Sequence, residues 1–195
     1  MPHRHPKRRA PIPTFWLMTD ERMGDSLFAA IEALPRGTGI VFRHHATGLA
    51  ARRALFERVA RMARRKRLIL IRAGAQRLGR GEAGVHGKGR LSRPGLRTWS
   101  AHSRAQAIAG KRAGADIMFV SPVYPTRSHP GAPALGPLRA AAIGRGLGLK
   151  TIALGGMDPD RFRGLTDLGF QGWAAIDAWL LSQKTADQKR KAVPT

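Results

Sequence analysis

The sequence contains no cysteine. That excludes a disulfide framework, a thiolate zinc site and a cysteine nucleophile, and it suits a cytoplasmic location. No apolar run approaches the roughly 18 residues that a membrane span requires, so a membrane is not an expected partner. The opening MPHRHPKRRAPIP lacks the apolar centre of a secretory signal. Residues 1–12 are expected to be a disordered basic arm and residues 183–195 a disordered tail. Acidic side chains are scarce, 12 against 35 Lys and Arg, for a formal charge of +23. Such an excess draws polyanions and phosphorylated metabolites. No aromatic-interleaved RNA signature or helix-turn-helix is present, so nucleic acid is the lesser expectation. No G-x-G-x-x-G follows the first apolar run, which argues against a dinucleotide fold.

What the sequence does contain is an alternation of short apolar runs with helical or glycine-rich stretches, the pattern of an α/β parallel sheet. Strands are predicted at 14–19, 39–43, 68–71, 84–86, 97–100, 117–120, 150–154 and 170–175. Helices are predicted from Asp25 or Ser26 to Leu34, over 49–65, 103–113 and 138–146, and from Asp158-Pro159, with a last one holding Trp179 and Leu180. In the 49–65 helix, Leu49, Leu55, Val59, Met62 and Ala63 form the apolar stripe and arginines fill the other face. Eight parallel strands with right-handed crossovers close into a (β/α)8 TIM barrel, here over 13–182. Such barrels commonly need about 250 residues, so this one is compact, with a short or missing helix near 74–92.

Barrel ligands are held by residues just after each strand. Those positions are Asp20, Arg43 to His45, Arg72, His86, Ser100 to Ser103, Ser121 to Ser128, Gly155-Gly156 and Gly172. The set is rich in Arg, His, Ser and Thr and poor in carboxylates. It suits an anion held by charge-assisted hydrogen bonds, not a carboxylate Mg²⁺ site. Gly155-Gly156 after the seventh strand lets backbone N–H groups approach phosphate; an ordinary turn is the other reading. The long 121–136 loop has the character of a lid, and Thr126, Arg127 and Ser128 offer hydroxyls and a guanidinium to a diphosphate. Ser100 and His102 have no acid close in sequence, so no triad is expected. Ser100 is expected to face the pocket and Ser103 to cap a helix.

The strings FWLMTD, GVH, WSAHS, GADIMFVSPVYPTRSHPGAPALG, ALGGM and GFQGWAAIDA, in that order between about Thr14 and Leu180, resemble the thiamine phosphate synthase family and its thiazole tautomerase relatives. The resemblance implies a transferase of thiamine biosynthesis that joins hydroxymethylpyrimidine diphosphate to thiazole phosphate, working on small phosphorylated substrates. It implies that Arg43 and Ser100 contact the diphosphate. It assigns Thr126 and Ser128 to the thiazole phosphate, and Gly155 and Gly156 to a phosphate-binding turn. His45 and His129 stand where the family carries lysines. There are departures. Arg72-Ala73 replaces a family Asn-Asp whose acid binds Mg²⁺, and residues 87–91 lack a second metal acid. Asp177 replaces a phosphate-binding serine, and Pro122 stands where the tautomerases carry a histidine. Mg²⁺ is usual for the family, but its ligands are absent here, and Arg72, Lys88 and Arg90 are expected to supply positive charge instead. The alternatives are a non-catalytic barrel that binds a phosphorylated metabolite and, third, a basic nucleic-acid-binding protein.

Overall fold

The structure, a computed structural model, describes residues 12–89, 95–126, 131 and 133–176. Short β-branched and aromatic runs form eight strands: β1 Phe15–Met18, β2 Gly39–Phe42, β3 Ile69–Ala73, β4 Gly84–His86, β5 Leu96–Ala101, β6 Ile117–Val120, β7 Lys150–Leu154 and β8 Gly172–Ala175. Each pairs in parallel with the next, and β8 pairs with β1, so the sheet closes into a barrel with no free edge.

The register decides which side chains enter the lumen. Trp16 meets Phe119 edge-to-face at 5.3 Å, across from β1 to β6. Trp16 pairs with Gly39, Ala73 with His86, His86 with Thr98, and Ser100 with Phe119. With a period of two, the inward set includes Trp16, Val41, Ile71, Ala73, His86, Thr98, Ser100 and Phe119. Gly39 lies beneath the Trp16 indole, and a Cβ there would collide with the ring.

Among the described residues five helices cover the outside: α1 Ser26–Ala33, α2 Leu49–Lys66, α3 Arg104–Arg112, α4 Pro137–Gly144 and α5 Pro159–Arg163. Ser103 caps α3, accepting from the Gln106 N–H at 3.3 Å. Asp158 caps α5, accepting from the Arg161 N–H at 2.8 Å, with Pro159 at the first helical position. The expected cap of α1 does not form. Asp25 holds helical dihedrals (φ −65°, ψ −23°) behind a 3-10 turn over Glu21–Met23, which prevents its side chain from folding over the next N–H groups. The Ser26 hydroxyl donates to the Met23 carbonyl instead.

The buried stripe of α2 is rotated from the predicted one. Arg52, Phe56, Val59 and Ala63 are buried, while Leu49 is exposed. The outward-facing Phe42 of β2 selects this face by packing edge-to-face on Phe56 at 5.4 Å.

No helix occurs in 74–83 or 87–89, in keeping with the short or missing helix expected there. An ion pair takes its place. Arg72 points away from the lumen, 1% exposed, with Nε 2.6 Å from Glu82 Oε2 and Nη1 donating to the Gly74 and Gln76 carbonyls. This corrects the placement of Arg72 in the mouth. Its neighbours in the register, Phe42 and Val85, face outward too. The predicted arm and tail fall largely outside the described residues, and the last helix wholly so. Ile12, the last residue assigned to the arm, packs on the core. No helix among the described residues is long and apolar enough to cross a membrane.

Candidate active site

The exits of β1 and β2 build a polar corner. Arg43 continues the inward face of β2 and is anchored at three points. Its Nη2 lies 2.7 Å from Asp20 Oδ2, its Nε donates to the Thr19 carbonyl at 2.8 Å, and its backbone N–H donates to Thr19 Oγ1 at 3.1 Å. Burial opposes ionisation of Asp20, but hydrogen bonds from Arg22 and the charges of Arg43 and Arg22 together hold its carboxyl below the ordinary value. Thr19 Oγ1 also lies 2.9 Å from His44 Nδ1, and His44 is buried with a left-handed φ of 37°. His45 follows, exposed, its ring 3.6 Å from the point where a Gly74 Cβ would sit. Burial lowers the pKa of both histidines; at His45 the charge of Arg52 is the next cause.

Across the lumen, β4 and β5 contribute a chain of three polar groups. His86 Nδ1 is 2.8 Å from Thr98 Oγ1, and its Nε2 is 3.0 Å from Ser100 Oγ. Burial, then the charges of Arg43 and His45, push the His86 pKa down to about 4. The imidazole is therefore neutral at pH 7, donating to one hydroxyl and accepting from the other. Ser100 faces the lumen as expected, but its partner is His86 on the neighbouring strand. His102 instead donates from Nδ1 to the Ser121 carbonyl at 2.7 Å, bridging the exits of β5 and β6.

At the exit of β7, Gly155 and Gly156 are left-handed, with φ of 94° and 60°. The loop after β6 lies on them. The Tyr124 N–H donates to the Gly155 carbonyl at 3.1 Å, and a Cβ on Gly155 would stand 2.7 Å from Pro122 Cα. Arg161 donates to the Gly156 carbonyl and stacks over Tyr124 at 4.9 Å. The glycines thus satisfy a turn and a close approach at once, and their own N–H groups donate to no described residue. Thr126, half-buried, ends the described part of the loop. Arg127, Ser128 and His129 lie outside the described residues, as do Arg90 and Asp177.

The structure therefore sets Ser100 against His86 and places Arg43, followed by His45, at the lumen-facing exit of β2, while Thr126 follows the Tyr124–Pro125 segment that rests on Gly155 and Gly156 at the same rim. Arg72 is removed from the site. Asp20 and His86, named from sequence only as strand-exit positions, join it, and so does Thr98, which was not named there. The signal for them was the alternation on short strands: Gly84 and His86 on β4, then Leu96, Thr98 and Ser100 on β5, each share a face.

Among the described residues the donor set does not fit Mg²⁺. Asp20 is engaged by Arg22 and Arg43 at 2.7 Å each, and Glu21 accepts the Ala46 N–H at 2.7 Å. Ala73 ends β3, and Gly87, Lys88 and Gly89 follow β4. Among the described residues no cluster of three or more His, Asp or Glu side chains is arranged to hold a metal. A hard cation needs several oxygen ligands, which this donor set does not offer.

A family model described as thiamine monophosphate synthase matches residues 16–179. The thiamine-phosphate synthase of Desulfitobacterium hafniense is 33% identical over 87 residues, covering 44% of this chain and 42% of that protein. The thiamine-phosphate synthase of Geobacillus thermodenitrificans is 37% identical over 81 residues, covering 40% and 37%. The aligned stretch thus spans less than half the length of these relatives. The solved structure of thiamine phosphate pyrophosphorylase from Pyrococcus furiosus superposes with a TM-score of 0.69 at 17% identity, over 85% of this chain and 86% of that one, a likeness of fold. With the family model spanning the barrel from β1 past β8, the chain belongs to the thiamine monophosphate synthase family.

Proposed function

We propose that this chain is a thiamine-phosphate-synthase-like transferase, acting in the cytoplasm on two small phosphorylated substrates. The C–O bond from the pyrimidine methylene to diphosphate breaks, and diphosphate departs with the electron pair. The thiazole nitrogen then attacks the resulting pyrimidine cation, forming the new C–N bond of thiamine phosphate. No protein nucleophile is needed; the protein's work is orientation and neutralisation of the leaving group. In this reading Arg43 and Ser100 meet the diphosphate, with His45 beside them. Thr126, Arg127, Ser128 and His129 hold the thiazole phosphate, together with the N–H groups of Gly155 and Gly156. His86 stays neutral and orients the Ser100 hydroxyl.

The observation that carries the proposal is that Arg43, held by Asp20, and Ser100, held by His86, both continue lumen-facing rows at the C-terminal rim, in a chain whose family model covers that rim. The test is rescue of a thiamine auxotroph lacking the synthase, paired with turnover of the purified protein. Rescue with turnover supports the proposal. Thermal stabilisation by thiamine phosphate with no turnover and no rescue overturns it in favour of a binding protein. Turnover is expected to persist in excess EDTA, because the donor set does not suit Mg²⁺; strict dependence on added Mg²⁺ would refute that part.

A further inference from the structure

Arg52 belongs to the first turns of α2, at the positive end of the helix dipole, where a cation is disfavoured. It is nevertheless buried, 7% exposed. Its hydrogen-bond partners are two neutral carbonyls: Nη2 donates to Arg43 O at 2.7 Å and to Ala73 O at 2.9 Å. Its Nε is buried with no hydrogen-bond partner among the described residues. A guanidinium held in this way is a poor source of stability, since buried charge costs free energy and an apolar side chain would avoid that cost.

The two carbonyls have something in common. Arg43 ends the β2 exit and is followed by His44 at φ 37°; Ala73 ends β3 and is followed by Gly74 at φ 87°. One nitrogen therefore ties together two strand ends at the residues where both chains turn left-handed. The space left by the missing Gly74 side chain is bounded by the His45 ring at 3.6 Å and by Arg52 Nη2 at 4.0 Å.

We infer that Arg52 is a positioning residue: by clamping the Arg43 and Ala73 carbonyls, it sets where Arg43 presents its charge and where the His45 ring stands at the mouth. This rests on reading that corner as a diphosphate site. The test uses the full-length chain as wild type, Arg52→Met and Arg52→Lys, titrated calorimetrically with inorganic diphosphate. Arg52→Met is expected to weaken binding at least about tenfold, as a small misplacement of a charge clamp does. Arg52→Lys recovers most of the loss, because an ammonium can also donate to two carbonyls. In parallel, hydrogen exchange at the Arg43 and Ala46 amides, bonded to Thr19 Oγ1 and Glu21 Oε1, is expected to accelerate in Arg52→Met while the Val59 and Met62 amides of α2 keep their protection. Wild-type diphosphate affinity in a folded Arg52→Met protein, or unchanged exchange at Arg43 and Ala46, overturns the inference. A wild-type protein that ignores diphosphate refutes the diphosphate reading of the corner, while the exchange result still decides whether Arg52 sets its geometry.

Discussion

Asp20 Oδ2 and Arg43 Nη2 lie 2.7 Å apart across the exits of β1 and β2. The contact aims the guanidinium and partly neutralises it, so Asp20 both orients Arg43 and competes with an anionic ligand for its charge. Asp20→Asn keeps an acceptor and removes the charge. It is expected to tighten inorganic diphosphate binding several-fold, with stability changed by no more than about 1 kcal/mol for a partly exposed pair. Arg43→Ala is expected to lower kcat/KM about a hundredfold or more. Calorimetric titration and steady-state kinetics check both; a looser complex in Asp20→Asn contradicts the competition.

The Ser100 hydroxyl is held by His86 Nε2 at 3.0 Å. Ser100→Ala removes the hydroxyl that the proposed function sets against the leaving diphosphate, and strands one imidazole nitrogen. Loss of the hydrogen bond is expected to cost about 1 kcal/mol of stability and to reduce kcat about 10- to 100-fold with a smaller change in KM. A variant with full kcat removes Ser100 from the reaction.

Acid should loosen the barrel from within. His44, His45 and His86 all have depressed pKa values, His86 at about 4, with burial the first cause in each. The unfolded chain therefore binds protons below pH ~6.5 that the folded chain refuses, and stability falls as the pH is lowered. For His86 the loss begins near the ordinary histidine value and is complete only below about 4, where it reaches on the order of 3 kcal/mol. Denaturant unfolding at pH 7, 6, 5 and 4 measures it, and His86→Asn should flatten the slope. An equally steep slope in that variant would assign the effect to other groups.

Gly156 and Gly37 separate conformation from packing. Both are left-handed, at φ 60° and 80°, but a Cβ on Gly37 meets open space, whereas one on Gly156 runs into Pro125 O and crowds Tyr124 Cβ. Gly37→Ala is expected to cost about 1 kcal/mol from backbone strain alone. Gly156→Ala adds displacement of the 121–126 loop, for a total of about 2–4 kcal/mol, and weakens phosphate binding. Equal melting temperatures for the two variants would show that the loop gives way freely.

Much of this molecule is legible along the chain because strand and helix periods are local properties. Runs such as Ile117–Val120 and Lys150–Leu154 announce strands, and Ser103 and Asp158 announce helix starts, within a few residues of the observed bounds. Arg72 shows where such reading fails. It follows a strand core and carries a charge, the profile of a mouth residue, yet one step along β3 turns a side chain from lumen to exterior, where Glu82 receives it. Arg52 misleads in the opposite sense, counted with a solvated arginine face although Phe42 draws its side of α2 inward.

Composition, periodicity and motif order by themselves determined the barrel and the lack of a helix over 74–83, because these depend on short-range patterns. Which side chains meet was decided only by closure of the sheet. His86 finds Ser100, Asp20 finds Arg43, and Arg52 reaches two strand ends because register, not sequence distance, sets the neighbours of an inward-facing group.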